Sequence, residues 1–351
     1  MSWPSDAVGI KGLSREELEV LLAEMGQPRY RVAQVVQWLY ARGALSYDEM
    51  TNLPAGLRAT LADRLVLPSA GIVERQVSAI DDTRKYLLEL AAGTTVETVG
   101  LPAGDRLTAC FSTQAGCAMG CSFCATGQAG LERDLAPGEM VDEVRAVSDD
   151  FGRRVTNAVA MGQGEPFANY DAVLAALRFM NSPDGLGIGA RHLTVSTCGL
   201  VKGIRRFAEE PEQFTLAVSL HSAVQRTRDR LMPGVRNIPL AELRSALVDY
   251  AATTGRRPSL EYALIAGVND TDAELDALAG FSHGMLVHVN LIPANPVQDT
   301  GFQRSAAERA GRFAERLARA GVEATVRAER GADIDAACGQ LRQRRRDQAP
   351  S

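Results

Sequence analysis

The sequence predicts an α/β protein in which a parallel β/α domain follows a small all-helical one. Two observations support this: three segments with helical spacing of apolar residues before residue 70, and six apolar, strand-like runs separated by helical patterns after residue 106. At 351 residues, the chain is also longer than one hydrophobic core usually supports. We expect a helical domain over 1–69, a β-hairpin linker over 70–105 and a β/α domain over 106–351.

The first 69 residues contain three amphipathic segments, "SREELEVLLAEMG", "PRYRVAQVVQWLYARG" and "PAGLRATLADRLV". Ser14 followed by Glu17 has the spacing of a capping box, which predicts a helix start. In the second segment four apolar residues fall on one helical face: Val32, Val35, Val36 and Leu39. The linker "TRKYLLELAAGTTVETVGLP" is typical of a hairpin that turns at Ala92 and Gly93.

The predicted strands of the β/α domain are "LTACFS", "VTNAVAM", "HLTVST", "FTLAVSLH", "SLEYALI" and "LVHVNLIP". Helical patterns separate them at 137–150, 169–180, 200–209, 239–254 and 271–279. Six strands are too few for a closed eight-stranded barrel, so an open partial barrel and a doubly wound sheet both remain. Polar or glycine-rich residues follow strand after strand, which is the pattern of functional loops in a parallel barrel.

Composition and charge limit the classes of function. The chain is 46% hydrophobic and has no apolar run near the roughly 18 residues that a membrane span needs. Its start, "MSWPSDAVGI", lacks the features of a secretory signal, so we expect a cytoplasmic protein without a membrane partner. We also expect a monomer. The net charge of −5 argues against a purely electrostatic nucleic-acid binder. Local basic clusters, among them "RQRRRDQ" near the C-terminus, still permit an RNA partner.

Three of the six cysteines lie in "AGCAMGCSFCATG", as Cys117, Cys121 and Cys124. In a reducing compartment such a cluster points to metal binding or catalysis rather than to structural disulfides. Three thiolates suit an iron-sulfur cluster with one iron that lacks a protein ligand, whereas closed zinc sites usually have four ligands. A zinc site completed by a distant ligand remains the alternative. Glycines at 116, 120 and 127 would let the loop wrap closely around an inorganic core.

The C-x3-C-x2-C spacing, with an aromatic residue before the third cysteine, resembles the radical S-adenosylmethionine (radical SAM) superfamily. That resemblance implies a partial six-stranded β/α barrel, one [4Fe-4S] cluster bound by the three cysteines, and SAM on the open iron. Further motifs occur in the order typical of the RlmN-type adenine carbon-2 RNA methyltransferases of the RlmN/Cfr family: "TTVETV", "CFSTQAGCAMGCSFCATG", "MGQGEPFANY", "LTVSTCG", "VSLHS", "VNLIPANP" and "RGADIDAACGQL". The similarity covers nearly the whole chain.

The family's SAM-binding residues match seven positions of this sequence: Gly164, Glu165, Ser196, Ser219, Leu220, His221 and Asn295. Each position also has an ordinary interpretation when it is considered alone. Glu165 could be a surface carboxylate in a turn, His221 a satisfied structural histidine, and Asn295 a turn residue of "PANP". The family resemblance favours the binding role.

Three matching residues would carry the methyl transfer. Adenine carbon 2 is electron-poor, and in the family one SAM first methylates a cysteine, which Cys338 matches. A second SAM then supplies the radical that activates this S-methyl group toward the ring, so two SAM molecules are used per methylation. Cys110 matches the cysteine that resolves the protein–RNA adduct through a transient disulfide, and Glu97 the acid–base residue. Considered alone, Cys110 would be a buried strand cysteine, Cys338 a small residue in a C-terminal loop, and Glu97 an outward-facing strand carboxylate.

The family's substrates are adenosine 2503 of 23S rRNA, in the peptidyl-transferase centre, and adenosine 37 of certain tRNAs, with an electron donor of the flavodoxin or ferredoxin type. The resemblance implies the same partners here. Two departures are visible: Gln163 stands where many members have Met, and Cys198, which we expect in the core, stands where many have Ser or another small residue. A Cfr-like sister group that methylates carbon 8 usually lacks the proline found here at Pro166. The alternative from another class is a non-enzymatic, metal-binding RNA-binding protein.

Overall fold

The computed structural model describes residues 9–293, 301–327, 330–331 and 333–334. The strands are β1 (Gly71–Val77), β2 (Arg84–Glu89), β3 (Thr95–Ala103), β4 (Arg106–Phe111), β5 (Gln114–Gly116), β6 (Leu131–Asp134), β7 (Asn157–Ala160), β8 (Leu193–Thr197), β9 (Thr215–Ser219), β10 (Ser259–Leu264), β11 (His288–Pro293) and β12 (Glu323–Val326).

The helices are α1 (Arg15–Glu24), α2 (Tyr30–Val36), α3 (Ala55–Arg64), α4 (Ala125–Gln128), α5 (Pro137–Phe151), α6 (Tyr170–Asn181), α7 (Val201–Glu209), α8 (Gln225–Leu231), α9 (Leu240–Thr254), α10 (Asp272–Ser282) and α11 (Ala307–Arg319). Within the part of the chain that is described, no helix is both long and apolar enough to span a bilayer.

The chain forms two compact units, and neither is contiguous in sequence. The first unit comprises residues up to 115 together with 133–163 and 169–193. The second unit comprises 116–132, 164–168 and the chain from 194 onward. These units do not follow the boundaries at 69 and 105 that the sequence suggests, so that three-part division stays a prediction.

In the first unit an antiparallel meander leads into a parallel pair. Strands β1, β2, β3 and β4 pair antiparallel in chain order, and β4 then pairs in parallel with β7. The predicted hairpin is confirmed as β2 and β3, with Ala92 at φ 57° in its turn, whereas β1 is a strand that the sequence did not indicate. Helix α5 covers one face so closely that a Cβ on Gly100 would lie 2.5 Å from the Phe151 ring.

The predicted N-terminal helices are present in the first unit. Ser14 and Glu17 form the capping box of α1, and the valine-rich face of α2 is buried, as predicted. One difference is that the second amphipathic segment is α-helical only to Val36 and continues as π-helix over Gln37–Arg42. The buried Lys11 Nζ lies 2.7 Å from Asp142 Oδ2 on α5, so a buried ion pair joins the helical segment to that helix.

The second unit contains a parallel sheet in the order β8-β9-β10-β11-β12. On β10, Tyr262 packs against Phe313 of α11 with ring centroids 5.9 Å apart, so alternate residues such as Glu261 lie on the opposite face. All six predicted strands are confirmed as β4, β7, β8, β9, β10 and β11, and the five predicted helices as α5, α6, α7, α9 and α10. Helix α11 and strand β12 extend the predicted alternation by one further helix and strand.

Candidate active site

The loop that carries Cys117, Cys121 and Cys124 belongs to the second unit and closes on itself. The backbone N–H of Cys117 donates to Gly130 O at 2.9 Å, and that of Cys124 donates to Cys121 O at 3.1 Å. Cys124 is the N-cap residue of α4. Cys117 is buried, the other two cysteines are half-buried, and none of the three forms a disulfide with a described residue. The loop therefore holds three thiols within a short, hydrogen-bonded turn.

Two glycines make this closure possible. Gly116 has φ +83°, and a Cβ there would lie 2.0 Å from Gly130 O, which no side chain can tolerate. A Cβ on Gly127 would lie 2.9 Å from Cys121 N. The close wrapping expected from the glycines at 116 and 127 is therefore present in the backbone.

The thiols lie close enough to influence one another electrostatically. Burial raises the pKa of Cys121 to about 12, the charges of Cys124 and Cys117 add to this increase, and that of Arg228 opposes it. Burial likewise raises the pKa of Cys117 to about 11. Among the described residues, no three His, Cys, Asp or Glu side chains are grouped around a point that could hold a single metal ion. A cubane cluster binds each thiolate through a different iron, so three thiols on a wrapping loop fit it better than they fit one zinc ion.

Glu165 is a buried carboxylate that is fixed by three hydrogen bonds within the second unit. Oε1 accepts from Thr197 Oγ1 at 2.7 Å and from the Phe167 N–H at 3.0 Å, while Oε2 accepts from the Cys198 N–H at 2.7 Å. Burial raises its pKa, and these hydrogen bonds oppose the shift. Gly164, just before it, has φ 103°, a conformation that favours glycine. The surface-carboxylate interpretation is wrong, because only 3% of Glu165 is exposed.

His221 follows β9 in a left-handed conformation, with φ 54°. Its Nδ1 accepts from the Ala263 N–H at 3.0 Å, so Nε2 carries the proton and is a donor. Burial, assisted by the Arg228 charge, lowers the pKa of His221 to about 3, so the ring is neutral at physiological pH. The ring makes an edge contact with Phe123 of the cysteine loop, with centroids 4.8 Å apart. A strained, neutral histidine thus lies directly beside that loop.

Ser196 and Ser219 lie on the same face of the parallel sheet, since Ser196 pairs with Ala217, two residues before Ser219. Two polar residues of this face were not expected from the sequence. Glu261 pairs with Ser219 and accepts from Asn290 Nδ2 at 2.7 Å. The sequence feature that could have indicated a polar role for Glu261 is its position as a carboxylate within the apolar run "SLEYALI". Ser196, Ser219, Glu261 and Asn290 therefore form a row of polar side chains on the face opposite Tyr262.

Leu220 is fully buried between two strands. Its N–H donates to Glu261 O at 3.0 Å, and its carbonyl accepts from Arg228 Nη1 at 2.5 Å. The expected burial of Cys198 is confirmed: it belongs to an apolar cluster with Leu231 and Met232, against which Cys121 and Phe123 pack. The cysteine loop and the ends of β8 and β9 are therefore parts of one packed region of the second unit.

Glu97, in the first unit, is buried and paired with Lys85. Its Oε2 lies 3.0 Å from Lys85 Nζ, and the two side chains are 3% and 0% exposed. The outward-facing interpretation is therefore wrong. Lys85 was missed, although a lysine just before the apolar run "YLLEL" was its signal. A buried carboxylate with a cationic partner can remain charged where an isolated one would be strongly disfavoured.

Cys110 lies on the same sheet face as Glu97. Lys85 pairs with Val99, Val99 pairs with Cys110, and Leu87 pairs with Glu97, so all these side chains lie on the face opposite α5. Diagonal neighbours in such a ladder have Cβ atoms about 7–8 Å apart. Two predicted site residues, Asn295 and Cys338, lie outside the described residues.

Comparison with known proteins places this chain in a defined class. Residues 111–279 match the family model of the radical SAM superfamily. A crystal structure of a radical SAM methyltransferase from Sphaerobacter thermophilus superposes with a TM-score of 0.87 at 47% identity and covers 94% of this chain and 98% of its own. The protein is therefore a radical SAM enzyme, and the predicted radical SAM fold with a small helical N-terminal region is confirmed.

The N-terminal segment and the full-length relatives identify the family. Residues 8–67 match the family model of the ribosomal RNA large subunit methyltransferase N-terminal domain. A probable dual-specificity RNA methyltransferase RlmN from Pelotomaculum thermopropionicum is 48% identical over 97% of this chain and 92% of its own length. A probable dual-specificity RNA methyltransferase RlmN from Synechococcus elongatus is 46% identical over 97% of this chain and 95% of its own length. The chain belongs to the RlmN family of dual-specificity RNA methyltransferases.

Proposed function

We propose that this enzyme methylates carbon 2 of adenosine, at adenosine 2503 of 23S rRNA and adenosine 37 of tRNA, through an S-methyl intermediate on Cys338. The observation that carries the proposal is the organisation of the second unit. One loop holds Cys117, Cys121 and Cys124 and packs beside His221 and the strand ends that anchor Glu165. This combination suits a cluster with an open iron and a polar cradle for SAM.

Roles in cofactor binding follow from this chemistry. Cys117, Cys121 and Cys124 would hold one [4Fe-4S] cluster, and the seven SAM-binding residues would hold SAM: Gly164, Glu165, Ser196, Ser219, Leu220, His221 and Asn295. When bound, the cluster and SAM supply the methyl group and the radical, with two SAM molecules used per methylation and the electron provided by a flavodoxin- or ferredoxin-type donor. The Glu165 carboxylate would receive the SAM ammonium, a charge-assisted pairing.

Glu97, Cys110 and Cys338 would act on the RNA. Cys338 would accept the methyl group, and once the SAM-derived radical has removed one hydrogen atom from that group, its carbon would bond to carbon 2 of adenine, which leaves the enzyme and RNA covalently joined. Glu97 would take the proton from carbon 2, and the one electron released with it would return to the oxidised cluster. The Cys110 thiolate would then attack the Cys338 sulfur, so that the sulfur–carbon bond breaks, the carbon takes up a proton to become the methyl group, and a disulfide forms as the methylated RNA leaves. The buried Lys85–Glu97 pair supports this assignment, because a general base must be held in its charged form. Such a transient disulfide suits catalytic thiols in a reducing compartment.

The helical N-terminal segment is the proposed RNA-gripping part, over 1–69. Arg42 lies over the Trp38 ring at 4.3 Å, and Arg31 over the Tyr30 ring at 5.0 Å. Tyr30 is 59% exposed. Exposed aromatic and guanidinium planes are the groups on which unpaired bases stack, and both proposed adenosines lie in single-stranded regions.

Carbon 2 is favoured over carbon 8 by Pro166 and by the relatives. Pro166 is buried at the start of a 3-10 turn, Pro166–Asn169, directly after Glu165. The curated relatives at 43–48% identity carry the RlmN name. A Cfr-like carbon-8 activity is therefore the second candidate.

The decisive experiment is mass spectrometry of the peptide that carries Cys338 after anaerobic incubation with SAM. We expect a methyl group on Cys338, and the Cys198 peptide from the same digest is the internal control, because that thiol has no proposed role. Absence of the methyl group from an enzyme that modifies RNA would overturn the mechanism. Nucleoside analysis of the product RNA should give 2-methyladenosine, and 8-methyladenosine would instead establish the second candidate.

A further inference from the structure

Arg228, on α8, is almost completely buried, at 1% exposure, although it carries a permanent charge. Its guanidinium donates to three backbone carbonyls at the ends of β8 and β9. Nη2 donates to Cys198 O at 2.6 Å, while Nη1 donates to Ser219 O at 2.9 Å and Leu220 O at 2.5 Å. Within the described part of the chain, none of its contacts is to a carboxylate, and Nε is buried without a partner.

A buried cation without a counter-ion is costly, and carbonyl dipoles do not cancel its charge. An anion should therefore complete this region when the protein is loaded. The anion must come from the side of the cysteine loop, since α8 is attached to that loop: the Ser122 N–H donates to Leu231 O at 2.9 Å, and the Gly234 N–H donates to Met119 O at 2.9 Å. Cys121 packs against the apolar cluster that contains Cys198 and Met232, and Arg228 donates to the Cys198 carbonyl and to Met232 Sδ.

We propose that Arg228 sets the reduction potential of the iron-sulfur cluster in the second unit. A cubane core bound by three thiolates is anionic, and it gains one more negative charge when it takes up an electron from the external reductant. A fixed positive charge in a low-dielectric interior stabilises the more negative form, so Arg228 favours the reduced cluster. This inference rests on the proposed cluster site and adds a positioning role that needs no contact with SAM or RNA.

The test is a redox titration of the reconstituted enzyme with dithionite, without SAM, in which electron paramagnetic resonance measures the reduced cluster. Arg228→Gln removes the charge and keeps a donor for the strand-end carbonyls, whereas Arg228→Lys keeps the charge. At the wild-type midpoint potential we expect the ratio of reduced to oxidised clusters to be about tenfold lower in Arg228→Gln, equivalent to about 59 mV for one electron. Arg228→Lys should stay near the wild-type potential.

Arg226→Gln is the matched control, because Arg226 lies on the same helix but is exposed, so that solvent screens its charge. Equal shifts in Arg228→Gln and Arg228→Lys would show that shape rather than charge matters and would overturn the proposal. So would an unchanged potential in Arg228→Gln with normal iron content. A wild-type enzyme that binds no cluster would instead overturn the proposed cofactor site. If Arg228→Gln binds no iron, Arg228→Met provides the neutral comparison with Arg228→Lys.

Discussion

Lys85 is the residue that most changes the interpretation of Glu97. From the sequence, "VETV" places a carboxylate on a strand but does not tell which face is buried. The structure places it on the face opposite α5, at 3% exposure and 3.0 Å from Lys85 Nζ. Two buried charges of opposite sign on adjacent strands form a unit, and removal of one leaves the other unpaired.

Substitution of Lys85 by Met should therefore separate the two halves of the reaction. Without the ammonium, Glu97 loses its buried cationic partner, which stabilises the charged carboxylate that a general base needs. We expect RNA methylation to slow by about 10²-fold or more, within the range for a lost general base. Methylation of Cys338 by SAM, followed by mass spectrometry, should be unchanged because it needs no base at the ring.

Lys202→Met is the control for this prediction, because Lys202 is exposed on α7. A Lys85→Met enzyme that loses both reactions to the same extent would indicate that the pair is needed only for folding.

Several site residues were predictable because the chemistry lies in their spacing. The three cysteines fall within eight positions, so any loop must bring them together. Arg228 and Glu261 were not predictable, since each is a charged residue whose burial depends on strands and helices far away in sequence. Arg228 lies in the segment "RTRDR", which is typical of an exposed helix. Only the long-range packing of the structure shows that Arg228 is the buried one of the three arginines.

At the scale of elements, the cysteine loop depends on backbone conformation as much as on thiols. Gly116 combines a positive φ with a close approach to Gly130 O, whereas Gly130, at φ +76°, has open space where a Cβ would lie. The two positions therefore share the conformational cost of a left-handed residue, about 1–2 kcal/mol. They differ in that an added Cβ would clash with Gly130 O at position 116 and would meet no atom at position 130.

Gly116→Ala should prevent the loop from closing, and Gly130→Ala should not. We expect the iron bound per chain after anaerobic reconstitution to fall strongly in Gly116→Ala and to stay near the wild-type value in Gly130→Ala. Circular dichroism checks that both variants are folded. Similar iron contents in the two variants would show that the loop has another route to closure.

The strand and helix order was predictable because apolar periodicity is local, and all six predicted strands are present. Strand β1 was missed because Gly71–Val77 is mostly exposed and therefore lacks the alternation of a half-buried strand. The π-helical continuation Gln37–Arg42 keeps the same apolar face as an α-helix, so periodicity does not distinguish the two. Local apolar periodicity thus predicts most strands and helices. It fails for an exposed strand such as β1 and for the type of helix at Gln37–Arg42.

At the scale of the whole molecule, the two compact units interrupt each other along the chain. Residues 116–132 and 164–168 belong to the second unit although first-unit segments flank them. Contiguous domain boundaries read from a sequence cannot express such an arrangement, because it depends on contacts between distant segments. The proposed cluster ligands and Glu165 lie in the second unit, and Glu97 and Cys110 lie in the first.

The net charge of −5 makes the salt dependence of RNA binding informative. An acidic protein must bind RNA through local basic and aromatic groups, so the affinity for a tRNA anticodon stem-loop should fall as sodium chloride rises. The slope of log K against log salt should be about −0.7 per phosphate engaged on single-stranded RNA. Methylation of Cys338 in the absence of RNA should be insensitive to the same change. A slope near zero would contradict an electrostatic grip on RNA.

Alternate residues of strand β3 face opposite sides of the sheet, and the two sides have different surroundings. Thr98 and Gly100 point toward α5, where Thr98 Oγ1 donates to the buried Glu143 and the Phe151 ring leaves no room beyond a hydrogen at Gly100. Glu97 and Val99 point the other way, toward Lys85 and Cys110. Natural variation along this strand should therefore be constrained by folding at the even positions and by the proposed chemistry at the odd ones. A register slip of one residue would exchange the two sets, so the pairing that fixes this meander also keeps the proposed acid–base residue on the same face as Cys110.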